Sequence, residues 1–271
     1  PKPRSRTQTF DPNPEITQSS RHNYRIKDDD LGAGGQKTKF KNNMEAIRTL
    51  RSIEVEKRFA TSEEQEILAH YVGWGGLSQA FDLDHKQWTD EYTELKALLT
   101  PEEYASARAS TLNAHYTSPI VIKAIYKAVE NMGFKTGNVL EPSCGIGHFL
   151  GLLPESMSDS KLFGVELDSI TGRIAQQLYQ KSSVAVQGYE TTNLPDSFFD
   201  LAIGNVPFGE YHVQDKRYDK HKFLIHDYFF ARTLDKVRPG GVIAFVTSKG
   251  TMDKANPAVR KYIAQRADLL G

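Results

Sequence analysis

A single cysteine, Cys144, is all the thiol chemistry this 271-residue chain has. That excludes an internal disulfide and any cysteine-rich metal site, and it fits a reducing compartment. The eight histidines show no HExxH or related ligand spacing, so no metal is expected. No run approaches the roughly 18 to 20 apolar residues that cross a bilayer. The opening residues PKPRSRTQTF lack the apolar stretch of a signal peptide, so the expectation is a cytoplasmic protein with no membrane partner. Charge of one sign is missing too: 34 Lys and Arg balance 34 Asp and Glu. Phosphate binding normally leaves a basic excess, so any contact with nucleic acid has to be local. There is no initiator Met, and the chain stops at ADLLG just after a helical pattern, which suggests a piece cut from something longer.

What is present is enough apolar material, 39% of residues, to bury the core of one ordinary domain with an appendage. Residues 1–22 are rich in Pro, Ser, Arg and Gln with almost no large apolar side chains, and they read as a disordered tail or linker. From 23 to about 110 the pattern is a helical block. Phe40, Met44, Ile47 and Leu50, then Ile67, Leu68, Tyr71 and Val72, recur at three- and four-residue spacings. Thr61 with Glu64 forms a capping box, and Thr100, Pro101 and Glu103 mark another helix start. From 111 to 271 strand and helix alternate. GNVLEPS, KLFGVEL, SVAVQGY, DLAIGNV and GVIAFVTS are strand-like runs, with helical segments at 169–181 and 223–237. That alternation predicts an α/β fold, a doubly wound Rossmann-like parallel sheet carrying the helical N-terminal block.

The stretch EPSCGIGHF (141–149) links the first strand to a helix. Its glycines let the backbone approach a ligand closely, and the helix start beyond offers unpaired N–H groups. Glu166, at the end of the next strand, is placed to accept both hydroxyls of an adenosine ribose. Two details select the cofactor. A dinucleotide fingerprint needs Gly at 150, where the chain has Leu150. Glu141 sets a carboxylate where a pyrophosphate would lie, and a cationic ligand with an α-amino group, such as S-adenosyl-L-methionine, tolerates it.

The fourth strand runs into Asn205, Val206, Pro207 and Phe208, on the edge where doubly wound sheets bind ligands. An exocyclic amine of a nucleobase is a poor nucleophile because its lone pair is delocalised into the ring. Acceptors that hold its two hydrogens out of the ring plane turn the lone pair outward. The Asn205 carboxamide oxygen can be one acceptor and the main-chain carbonyl of Val206 the other. Pro207 stiffens the turn, and Phe208 offers a face on which a flipped base can stack. The same geometry serves adenine N6, cytosine N4 or a protein glutamine.

With both motifs in hand, EPSCGIGHF, GVELD, IGNVPFG and the upstream HYTSP (115–119) resemble the amino-methyltransferases of DNA. They are most similar to the adenine-N6 group that includes the modification subunits of type I restriction systems. LGAGG and YVGWGGL resemble, more narrowly, the methylase portion of methylase–helicase fusions carried by phages and conjugative elements. The resemblance covers about residues 23 to 271. It implies methylation of the N6 amino group of adenine in DNA by base flipping, with a helicase domain in the same polypeptide as a partner. It also implies that Tyr116 and Thr117 flank the methionine end of the cofactor and that Glu166 holds the ribose. Around them the expected cofactor-binding set is Glu141, Pro142, Cys144, Gly145, Gly147, Phe149, Leu167 and Asn205. The third strand ends QGYE without the family's usual acid, so Tyr189 or Glu190 is expected to substitute. Val206 stands where the family usually has Pro, a change the carbonyl's role tolerates. The closing hairpin and target-recognition region of the family are not found by residue 271, so the alternative is a module that binds cofactor or DNA without catalysis.

The basic loop 211–226 holds Lys216, Arg217, Lys220 and Lys222 directly after the Asn205 motif, as phosphate ligands or as a solvated face. Trp74, in the glycine turn 73–77, is expected to pack in the helical block. LGAGGQKTK lacks the glycines of a P-loop at 31 and 36 and reads as a hinge before a helix. Cys144 reads as a small packing residue, since no histidine is placed to activate it.

Overall fold

The computed structural model describes residues 21–27, 32–111 and 116–271. The tail expected over 1–22 therefore lies outside the described residues except for Arg21 and His22, and so do Leu31 of the hinge and His115 of HYTSP. Asn23 to Lys27, expected to be helical, is an extended strap. Tyr24 N–H donates to Leu178 O and Ile26 N–H to Gly151 O, and Asn23 bridges Tyr179, so main-chain pairing against the sheet domain replaces helical bonds.

The helical block follows as α1 (Gln36–Glu56), α2 (Ser62–Ala69), α3 (Thr89–Leu98) and α4 (Pro101–Ser110). Both expected capping boxes form: the Thr61 hydroxyl accepts from Glu64 N–H and the Thr100 hydroxyl from Glu103 N–H, and each glutamate answers the cap's N–H. Phe40, Met44, Ile47 and Leu50 are buried along one stripe of α1. Trp74 packs edge-on against Phe40, Tyr71 and Phe81 and is 2% exposed, as the glycine turn suggested.

Beyond α5 (Pro119–Asn131) come β1 (Asn138–Glu141), α6 (His148–Gly151), β2 (Lys161–Glu166), α7 (Ser169–Leu178), β3 (Ser183–Val186), β4 (Phe199–Asn205), α8 (Ile225–Lys236), β5 (Val237–Val246), α9 (Gly250–Asp253) and α10 (Ala258–Ala264). All five strands pair in parallel in the order β3-β2-β1-β4-β5. This is a doubly wound, Rossmann-like α/β sheet. Its order reverses between β1 and β4, so the crevice beyond their carboxyl ends is where such a sheet takes a ligand.

The helical block and the sheet share one apolar cluster that runs from Phe40 and Leu50 through Tyr126 and Ile146 to Tyr179 and Ile203. Polar contacts stitch the same seam. Gln65 Nε2 donates to Gln177 O at 2.8 Å, and Arg173 reaches both Glu54 (2.8 Å) and Glu103 (2.5 Å).

Candidate active site

The loop after β1 is shaped by two glycines in the left-handed region, Gly145 at φ +55° and Gly147 at φ +88°. A Cβ on Gly145 would lie 2.9 Å from the Tyr116 ring, and one on Gly147 would lie 2.2 Å from the Tyr179 ring. No side chain fits at either position. Tyr116 thus lies over the loop and stacks obliquely on His148, with centroids 4.7 Å apart. Burial pushes the His148 imidazole down to about 4, so it is neutral.

Glu166 leaves β2 on the opposite wall. Its Oε2 accepts from Gly145 N–H and its Oε1 from Asp168 N–H, both at 2.8 Å. Each oxygen keeps a second lone pair for a hydroxyl. Burial raises this carboxyl to about 7, outweighing the main-chain bonds that lower it. Glu141, 2% exposed, is pushed well above the ordinary carboxylate range by burial and then by the charge of Glu166.

Three buried polar atoms around the loop have no partner: Glu141 Oε2, Thr117 Oγ1 and His148 Nδ1. Orphaned groups of this kind cost about 1–3 kcal/mol each. Here they line a cradle whose acids and hydroxyl suit a ligand with a cationic amino end and a ribose, so the residues fit S-adenosyl-L-methionine.

The fourth strand reaches the same crevice. Asn205 O accepts from Ser143 Oγ at 2.8 Å, which ties the end of β4 to the glycine loop across the reversal point. Val206 N–H donates to Val246 O and its side chain is buried, so the main chain is fixed on both sides of the turn. Pro207 is half-buried and Phe208 is 42% exposed.

Several expected cofactor residues do other work. Phe149 is buried under the loop, where its carbonyl accepts from Tyr126 OH at 2.8 Å, so it packs and does not face a ligand. The Cys144 thiol packs with Ala175 and Val184, and burial pushes it up, as expected of a packing residue. Pro142 is buried beside it. Tyr189 turns into the core with its OH 3.1 Å from Thr233 Oγ1 and its ring against Phe229, which removes it as a reader of adenine. Glu190 stays half-buried at the end of β3, folded back over Gly188, and Leu167 is 74% exposed beside Glu166.

In the basic loop, Arg217 pairs with Asp196 (2.8 Å) and Asp235 (2.9 Å), so its charge is spent within the fold and not available to phosphate. Lys216, Lys220 and Lys222 are exposed and form no ion pair among the described residues. The loop itself is pinned through Asp215, which accepts from Arg232 and from Tyr228 OH.

Sequence reasoning did not find Ser143, His148 or Asp168. Asp168 is a hub: it caps α7 by accepting from Thr171 N–H, and it accepts from Ser106 Oγ of the helical block at 2.8 Å. The motif GVELD carried the one available signal, an acid two residues after Glu166 and just before a helix.

No protein-family model matches the sequence. The chain is 27% identical over 235 residues to the "Defense against restriction protein B" of Escherichia phage P1, an alignment covering 84% of this chain and 9% of that protein. It is 24% identical over 166 residues to the modification methylase CviBIII of Paramecium bursaria Chlorella virus NC1A, covering 59% of this chain and 43% of that one. The chain thus spans less than half the length of either relative. Among solved structures it is similar to the modification subunit assigned to a type I restriction enzyme of Vibrio vulnificus YJ016. That likeness is 19% identical with a TM-score of 0.46, over 65% of this chain and 42% of the other.

The sheet order and the glycine loop after β1 are those of a class I methyltransferase fold. The cofactor that this combination implies is S-adenosyl-L-methionine.

Proposed function

We propose that the chain transfers a methyl group from S-adenosyl-L-methionine to the N6 amino group of an adenine flipped out of DNA. The observation that supports this reading is the bond from Ser143 Oγ to the main-chain carbonyl of Asn205, which ties the end of β4, and with it Asn205, to the glycine loop beside Glu141, Tyr116 and Glu166. Bound there, the cofactor supplies an electrophilic methyl on a sulfonium. Glu166 takes the ribose hydroxyls and Glu141 faces the amino end. Asn205 Oδ1 and the Val206 carbonyl accept the two amine hydrogens and aim the nitrogen's lone pair at the methyl. Phe208, exposed at the rim, receives the flipped base. Alignment of donor and acceptor supplies much of the rate, and the methylated nitrogen loses its proton to water or to Asn205. Lys216, Lys220 and Lys222 meet the phosphates of the flipped strand. We read the chain as acting in the cytoplasm within a longer polypeptide of a mobile element, with an attached helicase.

The test incubates the chain with methyl-labelled cofactor and DNA, then digests the DNA to nucleosides. Label in N6-methyladenosine that disappears in Asn205→Ala is the expected result. Label in N4-methylcytosine or in protein glutamine overturns the adenine assignment. Tight cofactor binding with no transfer makes the chain a non-catalytic module.

A further inference from the structure

The helical block carries a pocket of about 570 Å³ that the methyl-transfer scheme does not use. Phe81, Tyr92 and Tyr104 line it together with Lys96, Arg108 and Asp82. The rings are organised: Phe81 and Tyr104 lie 5.3 Å apart, and the Lys96 ammonium, 3.0 Å from Tyr92 OH, stands 5.7 Å from the Tyr104 ring centre. Arg48, Arg51, Arg58 and Arg173 each pair with a glutamate, whereas Lys96 and Arg108 form no ion pair among the described residues. Two cations without an ion pair beside the rings of Tyr92 and Tyr104 match a ligand that is an anion and a flat ring at once. Asp82 adds an acceptor suited to an exocyclic amine.

Resting on the methyl-transfer reading above, we propose that this pocket binds a nucleoside phosphate, and that its source is an unpaired nucleotide of the DNA other than the one being methylated. Arg108 and Lys96 take the phosphate, while the base lies against Tyr92 and Tyr104. Position supports the assignment. Tyr104 and Arg108 share one face of α4, being four residues apart, and Ser106 on the other face holds Asp168 at the rim of the cofactor crevice. The pocket is therefore about one helix diameter, some 10 Å, from that rim. The flipped base lies beyond β4, two strands from β2 and so about another 10 Å away, and a stacked strand covers the combined distance in about six nucleotides. Held at both places, the strand is fixed in register against the crevice.

The test measures binding of a fluorescent single-stranded oligonucleotide to the whole chain by anisotropy, over a range of salt, for the wild type and for Lys96→Gln/Arg108→Gln. The variant is expected to bind about 10-fold more weakly, with the logarithmic salt slope reduced by about 1, and with cofactor affinity and thermal unfolding unchanged. Tyr92→Ala is expected to weaken binding without changing the salt slope. Competition with dAMP separates the sources. Displacement by dAMP as effective as by unlabelled oligonucleotide keeps the pocket but assigns it to free nucleotide. Wild-type affinity in both variants, or a wild type that binds no oligonucleotide, overturns the proposal. Continued methylation by Asn205→Ala would instead sink the amino-transfer reading while leaving these affinities as they are.

Discussion

If Glu166 holds the ribose as proposed, it ties the affinity for cofactor to pH. Burial disfavours its charged form and sets the carboxyl at about 7, with Asp168, Glu141, Tyr116, Tyr71 and the Cys144 thiol as its titratable surroundings. About a tenth of the molecules carry the carboxylate at pH 6 and about nine-tenths at pH 8. Ribose hydroxyls donate to the carboxylate, so binding draws on the ionised fraction. Affinity should rise about 10-fold across that window, equivalent to about 1.4 kcal/mol. The amino group of S-adenosyl-L-methionine titrates near its upper end, at roughly 7.7 to 8.0, so the cleaner probe is 5′-methylthioadenosine, which keeps the ribose and lacks that group. Calorimetric titration of the chain with this nucleoside at matched ionic strength reads Glu166 directly. Glu166→Gln should bind more weakly and with no dependence on pH, while Glu141→Gln should keep the slope. Constant affinity for the wild type, or a slope that survives Glu166→Gln, refutes the assignment of Glu166 to the ribose.

Asn205→Ala should lower the methyl-transfer rate by about 100-fold or more while cofactor affinity in calorimetry stays within about twofold, because the acceptor acts on the amine and not on the ribose. Gly147→Ala puts a Cβ 2.2 Å from the Tyr179 ring at φ +88° and should cost about 2–4 kcal/mol in denaturant unfolding. Trp74→Ala empties the centre of the helical block and should cost about 3–5 kcal/mol by the same assay. Replacing Lys216, Lys220 and Lys222 with Ala should reduce the logarithmic salt slope of DNA binding by about 2 to 3, whereas Arg217→Ala should act on thermal unfolding, since it takes one cation from Asp196, which keeps Lys236, and leaves Asp235 with only the Tyr218 hydroxyl.

The strands, α7, α8 and both capping boxes are legible in the sequence because each rests on short-range chemistry: β-branched runs bounded by Gly or Asp, and a threonine three residues before a glutamate. The glycine loop and Glu166 are legible for the same reason, since their spacing follows the strand–turn–helix unit. What the sequence hides is where a side chain points once tertiary packing decides it. Tyr189 sits at a strand end, where a ligand reader is expected, yet α8 offers Phe229 and Thr233, and the ring takes the core. Arg217 lies in a run of bases, and only the approach of Asp196 and Asp235, 21 and 18 residues away in sequence, shows that it is consumed by the fold. The strap at Asn23 to Lys27 is hidden because its partners, Gly151 and Leu178, are more than a hundred residues distant.

The same long-range contacts bear on what the helical block is for. Asp168 N–H holds Glu166, and the Asp168 side chain is held in turn by Ser106 of α4. Arg173, one turn further along α7, bridges Glu54 of α1 and Glu103 of α4, and Glu103 also binds Arg51. The Glu166 carboxylate is therefore the end of a chain of bonds that starts in the block, and the apolar cluster is continuous across the seam. A block that only tethered a separate catalytic domain would need neither feature. Its contacts converge on α7, the helix that follows Glu166, so the block backs the crevice: it fixes the carboxylate against the glycine loop and, on the proposed reading, leaves the end of β4 open to the base.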